Sequence, residues 1–360
     1  MIPDPAISCQ RKRPGTVPHA TFFRFMGPSL VAMFLFMALP IASIFVQSLH
    51  IEHPQVVIVS ETCQPFGGCV QTTSVDAAAG AKLRAEAPLG QFNGFETYGD
   101  RNHLAFADMA VILTDSAGLG DAVSRIYNLP LYRALAFTVA YTAIVTPLAM
   151  ILGFLIALAV NTLPQLFKGT VIFFSLVPML ITPLVGALIL YWMLNAEGIL
   201  GAAIQGLFND ASLSTRTSAP LTWATLMTYG VWTNAPFSFI VFYAGLQAVP
   251  RETLEAAMID GASRIERIRF VVLPSIKPLV LFVLLVQLMD NFRVFEPIIS
   301  FNAASNATSL SYLVYSSLNT QTTQLFGSAA ATSMITIGFI TVLIVPVLLR
   351  VARDLSGGKA

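Results

Sequence analysis

The sequence predicts an all-α membrane protein with six crossing helices, and three observations carry that prediction. Hydrophobic residues make up 55% of the 360-residue chain and charged residues only 11%, an excess no ordinary soluble domain carries. Residues 134–160, 169–194 and 221–249 contain no Asp, Glu, Lys or Arg, and each is long enough to cross a hydrocarbon layer about 30 Å thick as a helix. The Lys and Arg between the apolar runs gather on alternate connections, the pattern that sets orientation in a bilayer.

In chain order, residues 1–26 hold Arg11, Lys12, Arg13 and Arg24 and are expected as a cytoplasmic tail. The first span is 27–49. It runs through Pro40 without a small-residue cleavage site, so it reads as an uncleaved anchor and not as a signal peptide. Residues 50–132 then form one large extracytoplasmic loop or small cap, with a strand-like run at 56–59. Phe92, Phe95, Tyr98, Leu104, Phe106 and Met109 are available to bury there, although some 80 residues make a marginal core alone. Cys63 and Cys69 flank a Pro- and Gly-containing turn in this loop. They are either a disulfide in an oxidising compartment or two unrelated thiols. His50, Glu52 and His53 lack further ligands at zinc spacing, so no metal site is expected.

The core is expected over 133–350, with spans at 134–160, 169–194, 221–249, 278–299 and 329–349, before a tail at 351–360. With both termini cytoplasmic, Lys168, Arg251, Arg264, Arg267, Arg269, Lys277, Arg350 and Arg353 all fall inside. Pro178, Pro183 and Gly186 interrupt the third span and Asn234-Ala235-Pro236 the fourth, freeing backbone groups that must find partners or line a cavity. Trp192 and Trp223 suit an aromatic belt at the outer interface. The fifth span ends with Asp290, Asn291, Arg293 and Glu296. The three-residue steps between the charged residues predict one helix face within ion-pair reach. With Asn234 and Asn291 they are either the polar wall of a translocation path or a structural salt-bridge cluster.

Between the fourth and fifth spans, residues 250–277 form a charged island. Pro250 starts a short helix, Glu252 and Glu255 favour its N-terminal end, and Gly261 stops it; a second helix is expected over about 262–272, ending at Pro274. Leu254, Ala257, Met258 and Gly261 fall on one face, and an apolar face rimmed by charge suits insertion into a groove of a soluble partner.

The run from Leu246-Gln247-Ala248-Val249-Pro250 through Glu255-Ala256-Ala257-Met258-Ile259-Asp260-Gly261-Ala262-Ser263, with Val272-Leu273-Pro274, resembles the EAA motif of binding-protein-dependent ABC importer permeases. Its form is similar to the carbohydrate branch, both maltose-type and glycerol-phosphate-type. Tyr132-Arg133-Ala134-Leu135, Thr182-Pro183-Leu184-Val185-Gly186-Ala187 and Asn306-Ala307-Thr308 extend the likeness over nearly all six spans. Phe301-Asn302-Ala303-Ala304-Ser305 departs from the usual glycine-rich loop, and the first outside loop is longer than usual.

The resemblance implies a subunit of an importer for a sugar, polyol or sugar phosphate in the bacterial inner membrane. It also implies a homologous second permease, a dimer of an ABC ATPase subunit, an extracytoplasmic solute-binding protein, and surrounding lipid as partners. Glu255, Ala256, Ala257, Asp260, Gly261, Leu273 and Pro274 are then the ATPase-coupling residues. ATP and Mg are expected on the ATPase partner. The chain has no phosphate loop, no His-Glu-x-x-His and no Gly-x-Ser-x-Gly, so neither an enzyme nor a bound cofactor is expected. Nothing points to nucleic acid. The alternative class is a self-contained, ion-coupled secondary transporter, which leaves the charged island unexplained.

Overall fold

A computed structural model describes residues 19–54, 56–64, 67–195, 197–208, 218–319 and 325–357. Its internal contacts divide the chain at Val46 and Gln47 into two units. The first contains the N-terminal helix, built from α1 (His19–Met33), a π turn at Phe34–Ala38, and the start of α2 (Leu39–Ser48). Its side chains from Phe23 to Val46 are almost uniformly exposed, as expected of a helix whose solvent is lipid.

The second unit opens with the expected large loop, which is partly β. Strand β1 (His50–Ile51) pairs with β4 (Gln91–Phe92). Strands β2 (Val57–Gln64) and β3 (Gly67–Val75) form an antiparallel hairpin whose register sets the backbone of Cys63 opposite that of Cys69. Four helices accompany them: α3 (Ala77–Glu86), capped by Asp76, then α4 (Glu96–Gly99), α5 (Phe106–Asp115) and α6 (Leu119–Tyr127). A capping carboxylate satisfies amide groups that have no partner in the first turn; Asp76 accepts from Ala78 and Ala79 at 2.9 and 3.0 Å.

The core is built of helices, long and short. They are α7 (Pro130–Thr162), α8 (Gln165–Leu180), α9 (Pro183–Leu194), α10 (Ile199–Phe208), α11 (Ala219–Ala248), α12 (Arg251–Ile259), α13 (Arg264–Arg267), α14 (Leu273–Ser275), α15 (Lys277–Phe292), α16 (Glu296–Ser300), α17 (Leu310–Leu318) and α18 (Phe326–Gly357). Among the described residues, the helices long and apolar enough to cross a membrane are Phe23–Ser48, Pro130–Thr162, Lys277–Ser300 and Phe326–Arg353. A fifth crossing follows if α8 and α9 count as one. Helix α11 has the length, 30 residues, but its Thr, Tyr, Trp and Asn lower its hydropathy. Much of it is buried against protein, where polar side chains find partners.

Helices α7, α11 and α15 pack around one another. A Cβ on Gly153 would lie 2.6 Å from the Phe239 amide nitrogen, and one on Gly230 would lie 2.1 Å from the Tyr141 hydroxyl. Those two approaches, at 153 with 239 and 141 with 230, make α7 and α11 run side by side in the same direction. Small residues allow this closeness without help from water. Gly245 meets Leu279 while Gln287 reaches Ser238, so α15 runs the opposite way. Two apolar clusters fill this bundle, one around Phe137, Val145, Leu226 and Ile298 and one around Val160, Phe242, Ile276 and Val283.

Four expectations change. The third span is two helices, bent by 94° at Ile181-Thr182. A residue before proline is pushed out of the helical region, and Thr182 before Pro183 is extended at φ −59°, ψ 138°. Pro178 and Pro236, by contrast, lie inside continuous helices. The fifth span also breaks: α15 stops at Phe292, and Glu296 starts α16, so Glu296 does not share a helix face with Asp290 and Arg293. Helix α17 fills a stretch expected as loop. Ser309 caps it by accepting from the Tyr312 amide at 3.1 Å. Trp223 is not a free interfacial anchor, because its ring meets Phe137 edge-on and its indole N–H donates to the Asn306 carbonyl at 3.0 Å.

Two ties fix the 50–132 segment to the start of α18. The Gly327 amide donates to the Glu52 carboxylate. Buried His103 donates from Nε2 to the Ser328 carbonyl at 3.1 Å.

Candidate functional site

A cavity of about 850 Å³ opens between α8, α11, α15, α16, α17 and α18, within the roughly 300–1,000 Å³ range of small-molecule sites. Asn234, Asp290, Asn291, Arg293 and Glu296 all line it, so the residues singled out from sequence come together. They do different things. Asp290 and Arg293 form an ion pair at 3.0 Å, both well exposed. Glu296 is exposed to the cavity and, among the described residues, has no ion pair or hydrogen bond. In a membrane such groups must face water or another protein.

Asn291 is only 2% exposed and is fully engaged. Its amide donates to Thr146 at 3.0 Å and to Gln287 at 3.2 Å, and its carbonyl oxygen accepts from Asn234 at 3.2 Å. Gln287 in turn donates to the Asn234 carbonyl at 2.9 Å and to Ser238 at 3.2 Å. This closed network joins α7, α11 and α15 beside the cavity. Asn291 therefore serves the protein interior and has no donor left for a solute. Gln287, Thr146 and Ser238 escaped the sequence reading, although the i, i+4 spacing of Gln287 and Asn291 in an apolar run is the signal that points to them.

The break between α8 and α9 is held from the cavity wall. The Tyr229 hydroxyl donates to the Pro183 carbonyl at 2.7 Å and Ser300 to the Leu184 carbonyl at 3.1 Å, which ties the first turn of α9 to α11 and α16. Gly186 lets Tyr229 in, since a Cβ there would stand 2.9 Å from its hydroxyl.

The second assembly is the island after α11. Helix α12 ends in a Schellman turn: the Gly261 amide donates to Met258 at 3.1 Å and the Ala262 amide to Ala257 at 3.0 Å. Gly261 sits at φ +81°, a left-handed position that suits a residue without Cβ. Ser263 and Glu266 then form a reciprocal capping box that starts α13. The Glu266 carboxyl is held below its ordinary value of 4.5, first by the Ser263 side chain and then by its backbone amide, because both bonds favour the charged form. A π turn at Ile268–Val272 follows, and the Leu273 amide reaches back to Ile268. That wider turn absorbs the missing donor of Pro274. The first helix also places a π turn two residues before a proline, Pro40.

The expected apolar stripe divides. Leu254 packs inward against the cluster around Val272 and Ile276, pinning α12 to the bundle. Facing out are Met258, Ile259 and Ile265, at 50%, 87% and 77% exposure, beside exposed Glu255, Ala256, Asp260, Gly261, Leu273 and Pro274; Ala257 is half-buried. Among the described residues no group of three or more His, Cys, Asp or Glu could hold a metal.

Residues 146–353 match the family model described as "Binding-protein-dependent transport system inner membrane component". The trehalose transport system permease protein SugA of Mycobacterium tuberculosis is 33% identical over 224 residues, 61% of this chain and 68% of that one. The trehalose/maltose transport system permease protein MalF of Thermococcus litoralis is 31% identical over 167 residues, 44% of this chain and 54% of that one. In fold, the chain is similar to one from the crystal structure of a bacterial ABC transporter involved in import of the acidic polysaccharide alginate. That likeness has a TM-score of 0.61 at 18% identity, covering 93% of this chain and 96% of the other.

Proposed function

The chain belongs to the family of binding-protein-dependent transport system inner membrane components, and from that premise we propose how this permease subunit of an ABC importer divides its work. The island from α12 to α14 takes the push of an ATPase dimer on the cytoplasmic side. The cavity carries a sugar, polyol or sugar phosphate handed over by an extracytoplasmic binding protein. A second, homologous permease closes the open side of the cavity. Six crossings with both termini cytoplasmic fit this reading, with α11 counted as the fourth and α8 with α9 as a broken third.

The observation that carries the reading is the exposed end of α12. Met258 and Ile259 project beside Glu255 from a helix anchored by Leu254, and a hydrophobic point ringed by charge on a pinned helix is what a groove accepts. Gly261 gives the lever its turn. ATP and Mg belong to the partner, and Glu255 and Asp260 supply polar contacts at the joint.

Glu255→Lys and Gly261→Asp are expected to reduce ATP-dependent uptake at least about tenfold, since a buried interfacial charge mismatch costs several kcal/mol. Membrane abundance measured by immunoblot is expected to stay at the unaltered level. Unimpaired uptake in either variant would overturn the assignment.

A further inference from the structure

The cavity wall combines three features that together choose among solute classes. The first is charge. Among the described residues, its ionisable carboxylates and guanidinium are Asp290, Glu296 and Arg293. The Asp290–Arg293 pair at 3.0 Å cancels itself, leaving Glu296 as one uncompensated negative charge.

The second feature is hydrogen-bond polarity. The hydroxyl protons of Thr233, Ser333 and Thr336 are donated to carbonyls of their own helices, at 3.0, 2.8 and 2.7 Å. What these three turn to the cavity is therefore lone pairs. Both amide protons of Asn234 are spent, one on Gly230 at 2.8 Å and one on Asn291. A sugar hydroxyl can donate to such a wall. A phosphate or carboxylate, acceptor-only when ionised, cannot, and is left with the hydroxyls of Ser311 and Tyr315 and the remaining N–H groups of Arg293.

The third is aromatic surface. Phe295 and Tyr315 lie edge to face with ring centroids 5.1 Å apart, and Tyr141 and Tyr229 also line the cavity. Ring faces carry negative quadrupole charge, which suits the slightly positive C–H face of a pyranose and repels an anion.

We propose that Glu296, backed by this acceptor-rich wall, is a specificity-determining residue that rejects anionic solutes, so that the cargo of this path is a neutral saccharide and not a sugar phosphate or a uronate. The inference rests on the importer reading above and narrows it. A cleft of net negative charge between low-dielectric walls focuses its field on whatever enters, so a single fixed carboxylate is enough to discriminate.

The test uses two probes that differ by one phosphate, trehalose and trehalose 6-phosphate. They are offered to the full permease–ATPase complex in lipid nanodiscs without binding protein, with binding read by equilibrium dialysis of radiolabelled sugar. The phosphorylated probe is expected to bind roughly tenfold or more weakly than the neutral one, the cost of a like charge at close range. Glu296→Gln should narrow that ratio by raising the binding of the phosphorylated probe, and Glu296→Lys should invert it.

Equal binding of both probes by the unaltered complex, or an unchanged ratio in Glu296→Gln, overturns the filter. So does dissociation of the second permease in Glu296→Gln, which would make Glu296 an interface residue. If neither sugar binds while the ATPase stays attached, the filter fails and the importer reading stands. If the ATPase does not co-purify at all, the importer reading fails first.

Discussion

A buried primary amide is costly in a membrane unless each of its hydrogen-bonding groups is met, and Asn291 meets this requirement with Thr146, Gln287 and Asn234. Removing one member strands the others, so the effects of two removals should not add. Asn291→Leu and Gln287→Leu are each expected to destabilise the complex by about 1–2 kcal/mol, with the double variant less damaging than the sum. Thermal melting in detergent, arranged as a double-mutant cycle, measures this; strict additivity would count against a connected network. A second residue-scale test concerns closeness instead of polarity. Gly230→Ala brings a methyl against the buried Tyr141 hydroxyl and is expected to cost about 1–3 kcal/mol as overpacking. Tyr141→Phe should return part of that loss in the same melting assay, because it removes the atom struck first.

At the scale of the element, the α12–α14 island was legible in the sequence and the α15–α16 junction was not. Gly261, Ser263 and Pro274 have local meanings that survive any tertiary context: a left-handed stop, a cap and a lost donor. Glu296 falls off the face of Asp290 and Arg293 because three-residue spacing describes a helix only while the helix lasts, and α15 ends at Phe292, with Arg293 at φ −94°, ψ 18° before Glu296 begins α16. Likewise Pro183 was visible as an irregularity, but the size of the bend depends on Tyr229 and Ser300, which lie far along the chain. The capping box gives the element its own test. A carboxyl held below its ordinary value stabilises the charged, folded form. The contribution of Glu266 is therefore complete above pH 4.5 and lost as the pH falls through its lowered value. With the intrinsic slowing of exchange in acid divided out, protection of the α13 amides should fall over that range, and Glu266→Gln should abolish the fall.

For the molecule as a whole, composition and charge placement gave the membrane class, and the run-lengths gave most of the long helices. They gave neither the packing of α7 with α11 nor the cavity, since direction and proximity are properties of pairs. Two candidate solute contacts changed character for the same reason. Asn234 and Asn291 are polar in the sequence wherever they point, and only the neighbouring helices show that they are already occupied. The attachment of the 50–132 segment to α18 is another pairwise fact. A Cβ on Gly327 would lie 1.9 Å from the His50 carbonyl oxygen, so Gly327→Val should push β1 away and weaken the bond to Glu52. Limited proteolysis is expected to cut the 50–132 segment several-fold faster in that variant, with the loss held to this region and not spread through the bundle.

The 94° bend between α8 and α9 has a consequence for how the protein is made. Helices of 16 and 12 residues span about 24 and 18 Å, and each falls short of a bilayer crossing. The pair leaves the ribosome before Tyr229 is made, when the first turn of α9 still lacks its tie to α11. Its lateral release into lipid is therefore expected to wait for α11, so that α8, α9 and α11 enter the bilayer together. A nascent chain truncated before Tyr229 should stay beside the translocon, within reach of a crosslinker that the full-length chain has already left behind.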